Sequence, residues 1–224
     1  MDNKSPNSTN SDKLPQQYEC PIDWLLYRSI DQHLSVYKDL GLTPNMVTIM
    51  SILTGLGSAY IYTKKRYSVA ALLWFIAYYF DCVDGKLARR YNMTSKFGDL
   101  LDHAGDGLKS VSMIAVVLHN HGELWTPIQK VCYFVCVVMT LLCMINIGYQ
   151  ERIYDASSGK EPSATLNAYK LLTINDDCPK RSIRKFRHFG CGSVILFTAI
   201  TIASTDLLKR PEVNCSRLRR LLAV

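Results

Sequence analysis

DCVDGKLARRYNMTSKFGDLLDHAGD (residues 81–106) follows directly on the apolar run YSVAALLWFIAYYF (residues 67–80). The apolar run is too short to cross a bilayer, and so is residues 110–122 beyond the quoted stretch; a spanning helix needs about 20 residues. Each reaches that length only by absorbing neighbouring carboxylates, Asp81 and Asp84 in the first case, Asp102 and Asp106 in the second. Ionisable groups at membrane depth face a protein-lined cavity rather than lipid and mark function.

Three further stretches carry no charge when histidine is neutral: residues 40–63, 131–150 and 188–205. With the two aspartate-bearing segments they predict an all-α, polytopic helical membrane protein of five spans. The 224 residues are 48% hydrophobic with a mean hydropathy of +0.02, so it is the distribution that assigns the class. The net charge of +7 fits a protein seated on anionic membrane lipids. The Lys and Arg residues are dispersed over short loops, which argues against nucleic acid. The eight cysteines (20, 82, 132, 136, 143, 178, 191 and 215) form no C-x-x-C pair and read as small buried hydrophobes in a reducing compartment.

Residues 1–19 read as a disordered polar tail, residues 20–206 as the membrane domain, and residues 207–224 as a basic C-terminal tail. Ile22, Leu25, Leu26, Ile30 and Leu34 recur at helical spacing, with Trp24 and Tyr27 among them. They predict an N-terminal amphipathic helix, lying in the interface or packed on the protein's own loops. Thr43-Pro44 is an N-cap and first-turn proline that opens the first span, and Gly55 and Gly57 allow close packing within it. The fourth span is expected over 125–150 and the fifth over 187–205. A polar connection, 151–186, holds a short helix near 164–172, and His119 and His121 fall in a solvated turn. Both sides are basic; the longer basic loops favour the aspartate side as cytoplasmic.

Asp81 and Asp84 are three apart and share a helical face with Ala88, with Gly85 adjoining. On the next helix Gly98, Asp102 and Asp106 recur every fourth residue, while Asp99 falls off that stripe. Four carboxylates and three very small residues thus meet a common space. Such anions do not coexist in a low-dielectric site without cations. Hard divalent ions take oxygen ligands, and Mg²⁺ completes its shell with water and substrate phosphates. Lys86 and Arg89 lie near enough to add positive charge for a phosphate. The pattern points to metal-assisted phosphoryl chemistry on a diphosphate.

The series Asp81-x2-Asp84-Gly85-x2-Ala88-Arg89-x8-Gly98-x3-Asp102-x3-Asp106 resembles the full signature of the CDP-alcohol phosphotransferases (class I CDP-alcohol phosphatidyltransferases). Thr43-Pro44-Asn45-x2-Thr48 resembles the family's entry to its first span. The resemblance covers residues 43–150 and fades beyond. It implies that Asp81, Asp84 and Asp102 hold one or two Mg²⁺ or Mn²⁺ ions, with Asp106 near the second. Asp106 matches the general base that deprotonates the attacking hydroxyl. Asn45, Thr48, Gly85, Ala88, Arg89 and Gly98 fall where the family contacts the CDP moiety. It also implies a homodimer of six-span chains, one more span than the five read here.

Lys86 after the glycine, the double Arg, and His103 beside Asp102 resemble the choline/ethanolamine phosphotransferases. Those pass a head group from CDP-choline or CDP-ethanolamine to diacylglycerol, in a membrane of endoplasmic-reticulum type. His103 reads either as an aid to proton transfer or as a hydrogen-bond partner of a metal-bound carboxylate. The alternative donor is CDP-diacylglycerol with inositol, serine or glycerol phosphate as acceptor. A different class, a membrane cation transporter, would use the same aspartates but has no use for Arg89 beside them. An inactive family member would not need all four.

Overall fold

The protein is described here by a computed structural model covering residues 13–121, 126–158 and 166–205. Seven α-helices account for most of these residues: α1 Pro21–Asp39, α2 Pro44–Thr63, α3 Tyr67–Arg90, α4 Lys96–His121, α5 Pro127–Ser158, α6 Pro179–Phe186 and α7 Cys191–Ala203. Two 3₁₀ segments, Leu166–Thr173 and Arg187–Phe189, link the later helices.

The turn between α1 and α2 has its hydrogen bonds fully assigned. The Gly41 N–H donates to the Lys38 carbonyl and the Leu42 N–H to the Tyr37 carbonyl. This is the paired closure of a helix C-terminus on a left-handed residue, and Gly41 supplies it with a φ of 73°. Thr43 then caps α2 by accepting from the Met46 N–H at 3.3 Å, with Pro44 in the first turn. The α3–α4 turn repeats the device with Asn92 at a φ of 53° and the Met93 N–H on the Ala88 carbonyl.

Helix α2 lies against α3 and α4, α3 also against α1 and α7, and α5 against α6 and α7. Small polar residues fasten α2 to α3: Ser51 donates to the Ala77 carbonyl at 2.8 Å and Ser58 to the Ala70 carbonyl at 2.7 Å. One apolar cluster joins Tyr62, Tyr67, Trp74, Met113, Val117 and Ile202. A second joins Ile30 and Leu34 of α1 to Val47, Tyr78, Val83 and Leu87. Leu53, Leu72, Leu118, Phe134 and Leu141 are exposed, as suits helices whose outer face meets lipid. The protein is a polytopic helical membrane protein, with four segments long and apolar enough to cross a bilayer: Pro44–Thr63, Tyr67–Arg90, Pro127–Ala156 and Pro179–Ala203. Helix α4 has the length but not the composition, because it carries the aspartates.

Several expectations are corrected. The 13–19 part of the tail is not free: Leu14 and Tyr18 are buried with Tyr149, Ile153 and Ile183, and Lys13 pairs with Glu151. The rest of that tail and residues 207–224 lie outside the described residues. Helix α5 runs eight residues past 150, because its polar end is partnered. Arg152 donates to the carbonyls of Thr173 and Asp176, and Asp155 pairs with Lys170. His119 is in the last turns of α4 and not in a connecting turn.

The final span is interrupted near Gly190, because the start of α1 crosses it closely. A Cβ on Gly190 would lie 2.4 Å from Cys20 Cβ, and one on Gly192 would lie 2.0 Å from Asp23 Oδ1. Asp23 is buried and accepts from the Tyr78 hydroxyl at 2.7 Å and from the Gly192 backbone N–H. It therefore caps α7 from another helix, satisfying a donor that the helix cannot satisfy itself. Burial raises its carboxyl from 3.8 to about 6 despite those bonds. The buried side of α1 is thus turned to the protein, while Leu25, Val36 and Leu40 remain exposed. The seven described cysteines are free thiols, with Cys20, Cys82 and Cys143 buried.

Candidate active site

Helices α3 and α4 both pack on α2, and from there they turn aspartates towards each other. Asp81, Asp102 and Asp106 each place a carboxylate oxygen such that all three lie within 4.8 Å of one another. Asp84 is buried one turn further along α3, beside Thr48 of α2. Its Oδ2, like Oδ1 of Asp102, is buried with no hydrogen-bond partner. Buried carboxylate oxygens are not left unsatisfied without a reason. These two, in an all-oxygen set drawn from two helices, fit a hard divalent cation such as Mg²⁺ or Mn²⁺. The burial is graded: the Asp81 side chain is 18% exposed and that of Asp106 is 47% exposed. Asp106 is therefore the carboxylate most open to an incoming molecule.

The other expected residues are distributed unevenly. Asn45 and Gly98 are neighbours, since a Cβ on Gly98 would stand 3.0 Å from Asn45 Oδ1. The Gly98 N–H is held by the Ser95 hydroxyl at 3.0 Å. A Cβ on Gly85 would stand 3.2 Å from an Arg89 guanidinium nitrogen, so the missing side chain makes room for that guanidinium. Ala88 is partly buried on the same helix. His103 turns Nδ1 towards the Asp99 carbonyl at 2.7 Å and lies 3.6 Å from the Asp99 carboxylate. Asp99, off the stripe, is thus the residue that orients the imidazole.

Lys86 departs from expectation. Its side chain is fully buried, with the ammonium 2.6 Å from Asp31 and 3.3 Å from the Tyr27 carbonyl, both on α1. It lies five residues beyond Asp81, which turns it away from the 81/84/88 stripe. Its charge fastens α1 to α3.

Lys109 does reach the cluster. Its ammonium is 2.6 Å from Asp106, 3.0 Å from Asp81 and 2.7 Å from the Ser51 hydroxyl. The signal was available: Lys109 is three beyond Asp106 and seven beyond Asp102, on the same stripe.

Residues 41–204 match the CDP-alcohol phosphatidyltransferase family. Among characterised relatives, the chain is similar to choline/ethanolaminephosphotransferase 2 of Arabidopsis thaliana, 42% identical over 80 residues, covering 31% of this chain and 21% of that protein. It is similar to archaetidylinositol phosphate synthase of Pyrococcus horikoshii, 35% identical over 75 residues, covering 34% and 40%. It is also similar to phosphatidylinositol phosphate synthase of Mycobacterium marinum, 30% identical over 140 residues, covering 60% and 57%. In each case the match spans less than two thirds of the relative's length. No solved structure matches the chain significantly.

Proposed function

Because the chain belongs to the CDP-alcohol phosphatidyltransferase family, a family of transferases, we propose that it transfers a substituted phosphate from a CDP-linked donor to an alcohol hydroxyl and releases CMP. The observation that carries this reading is the convergence of Asp81, Asp102 and Asp106 within 4.8 Å beside the unsatisfied oxygens of Asp84 and Asp102. Asp81, Asp84 and Asp102, with Asp106 beside them, would hold a Mg²⁺ or Mn²⁺ ion, which when bound would stabilise the negative charge developing on the departing CMP.

The chain's own groups do the rest. Asn45, Thr48, Gly85, Ala88, Arg89 and Gly98 hold the CDP moiety, the small residues letting it approach the backbone. Asp106, the most open carboxylate, accepts the proton of the acceptor hydroxyl. The hydroxyl oxygen then bonds to the donor phosphorus, the bond to the CMP oxygen breaks, and CMP leaves. Holding both partners in line contributes much of the acceleration. His103, fixed by Asp99, adjoins Asp102 and assists the placement of that carboxylate.

For the substrate we favour CDP-choline or CDP-ethanolamine with diacylglycerol. The likeness of the DGKLARR and DHAGD segments to that group, and the similarity to a plant choline/ethanolaminephosphotransferase, support it. The archaeal and mycobacterial relatives support a second reading, with CDP-diacylglycerol as donor and an inositol phosphate or other polar alcohol as acceptor. We further assign five spans by adding α4 to the four apolar segments, a homodimer, and a site on the cytoplasmic side. The length of α4, the family resemblance and the basic loops support these in turn.

The test is CMP release by the membrane-reconstituted chain with Mg²⁺ or Mn²⁺, each donor offered with each acceptor. Release with CDP-choline or CDP-ethanolamine and diacylglycerol is the expected result. Release only with CDP-diacylglycerol selects the second reading, and no release from any donor refutes both.

A further inference from the structure

Lys109 has the features of a built component rather than a surface charge near acids. It is buried, at 6% exposure, so water does not replace its partners. An ammonium has three protons to donate, and three acceptors stand around this one: Asp81, Asp106 and Ser51. Ser51 is prepared for the role. Its own proton goes to the Ala77 carbonyl at 2.8 Å, which leaves its lone pairs to face the ammonium.

The path of the side chain is prepared as well. Gly55 lies one turn beyond Ser51 on α2, and the lysine stem passes directly over it. A Cβ there would stand 2.6 Å from Lys109 Cδ and 2.7 Å from Cγ. Any other residue at 55 would block the route, whereas Gly57 meets nothing within 4 Å. Three observations on three helices therefore agree: the slot, the hydroxyl at its end, and the two carboxylates beyond.

We propose that Lys109 is a resident cation of the carboxylate cluster, holding the Asp81–Asp106 side and restricting the chain to one exchangeable divalent ion on the Asp84–Asp102 side. The inference rests on the metal-dependent transfer described above. A second divalent ion bridging Asp81 and Asp106 would need the oxygens the ammonium already binds and would repel it at close range. The buried oxygens with no hydrogen-bond partner are Asp84 Oδ2 and Asp102 Oδ1, and the single ion is assigned to these two carboxylates. Lys109 is a positioning residue: it fixes Asp106 without touching the reacting atoms.

The test is a count of bound metal. Mn²⁺ is titrated into the detergent-purified full chain and the free ion is followed by electron paramagnetic resonance. The wild type should bind one Mn²⁺ per chain, and Lys109→Arg, which keeps the charge, should also bind one. Lys109→Met should bind a second Mn²⁺, or bind the first at least tenfold more tightly. Two Mn²⁺ per wild-type chain overturn the proposal whatever the variants do, as does no Mn²⁺ bound by either wild type or Lys109→Met. A Lys109→Met protein with wild-type count and affinity overturns it too. The outcomes separate from those of the transfer assay. One bound Mn²⁺ with no CMP released refutes the transfer reading alone, and two bound Mn²⁺ with CMP released refute the resident cation alone.

Discussion

The Lys86–Asp31 pair yields an asymmetric prediction. Lys86 has a fully buried side chain, whereas that of Asp31 is 27% exposed. Replacing Asp31 by Asn removes the carboxylate 2.6 Å from a buried ammonium, and breaking such a pair from one side costs about 3–5 kcal/mol. The Tyr27 carbonyl at 3.3 Å and the Tyr27 ring at 5.2 Å still face the ammonium. With Asp31 itself partly hydrated, these bring the expectation down to about 2–3 kcal/mol. Lys86→Met keeps an unbranched apolar stem in the same volume and leaves a carboxylate that can rehydrate, so about 1 kcal/mol is expected. The double variant should resemble Lys86→Met alone. Unfolding of the purified chain in mixed micelles by a graded denaturing detergent measures all three. A Lys86→Met cost equal to or above that of Asp31→Asn would refute the reasoning. So would a Lys86→Met protein of normal stability whose KM for the CDP-linked donor rises tenfold, because that would place the ammonium on substrate.

Three further outcomes follow from the same geometry. Asp106→Asn should lower the rate of CMP release at least a thousandfold while donor binding stays measurable, since only the proton acceptor is lost; retained turnover would reassign the base. Gly192→Ala drives a methyl to 2.0 Å from Asp23 Oδ1 and should destabilise by about 3 kcal/mol. Gly57→Ala, with nothing within 4 Å, should be neutral or stabilising by about 0.5–1 kcal/mol, so equal effects in the two thermal unfolding curves would contradict the packing. Asp23, raised from 3.8 to about 6, holds a proton in the folded state that the unfolded chain releases between those values. Its stabilising contribution is present below about pH 4 and is lost as pH rises to about 6. Asp23→Asn keeps an acceptor oxygen for Tyr78 and Gly192, and should gain on the wild type in melting temperature across that interval. A constant difference from pH 4 to pH 6.5 would refute this.

Residue spacing reported faces reliably here, and reported neighbours poorly. The intervals 81/84/88 and 98/102/106 placed two stripes, and the structure brings Asp81, Asp102 and Asp106 of those stripes together. Thr43-Pro44 predicted the start of α2 from local chemistry alone. What failed were inferences about which element a side chain meets. Lys86 was read by its proximity in sequence to the aspartates, yet five residues along a helix turn it onto α1. Asp23 lies among the apolar residues of the N-terminal amphipathic segment, and its partner Gly192 is 169 residues away. Leu14 and Tyr18 were dismissed with the polar tail because its composition is dominated by other residues. Lys109 has the period of the stripe, three beyond Asp106, but a lysine beside an apolar run carries no local sign of which carboxylates it meets.

The charges of α4 also bear on how the protein is made. At about 1.5 Å per residue its 26 residues extend about 39 Å, ample for a bilayer. Yet each Asp or Lys near the centre of a helix costs about 2.5–3.5 kcal/mol to insert alone, and Asp102, Asp106 and Lys109 all lie within it. Such a segment does not partition into lipid from the insertion machinery by itself. With α4 as the proposed fifth span, α2 and α3 would offer Ser51 and Asp81 to its ammonium as it enters. The order of synthesis, with α2 and α3 before α4, is then the order the chemistry requires. A variant that weakens the Lys109 slot would be detected first as a chain with α4 left outside the membrane, before any measurement of catalysis.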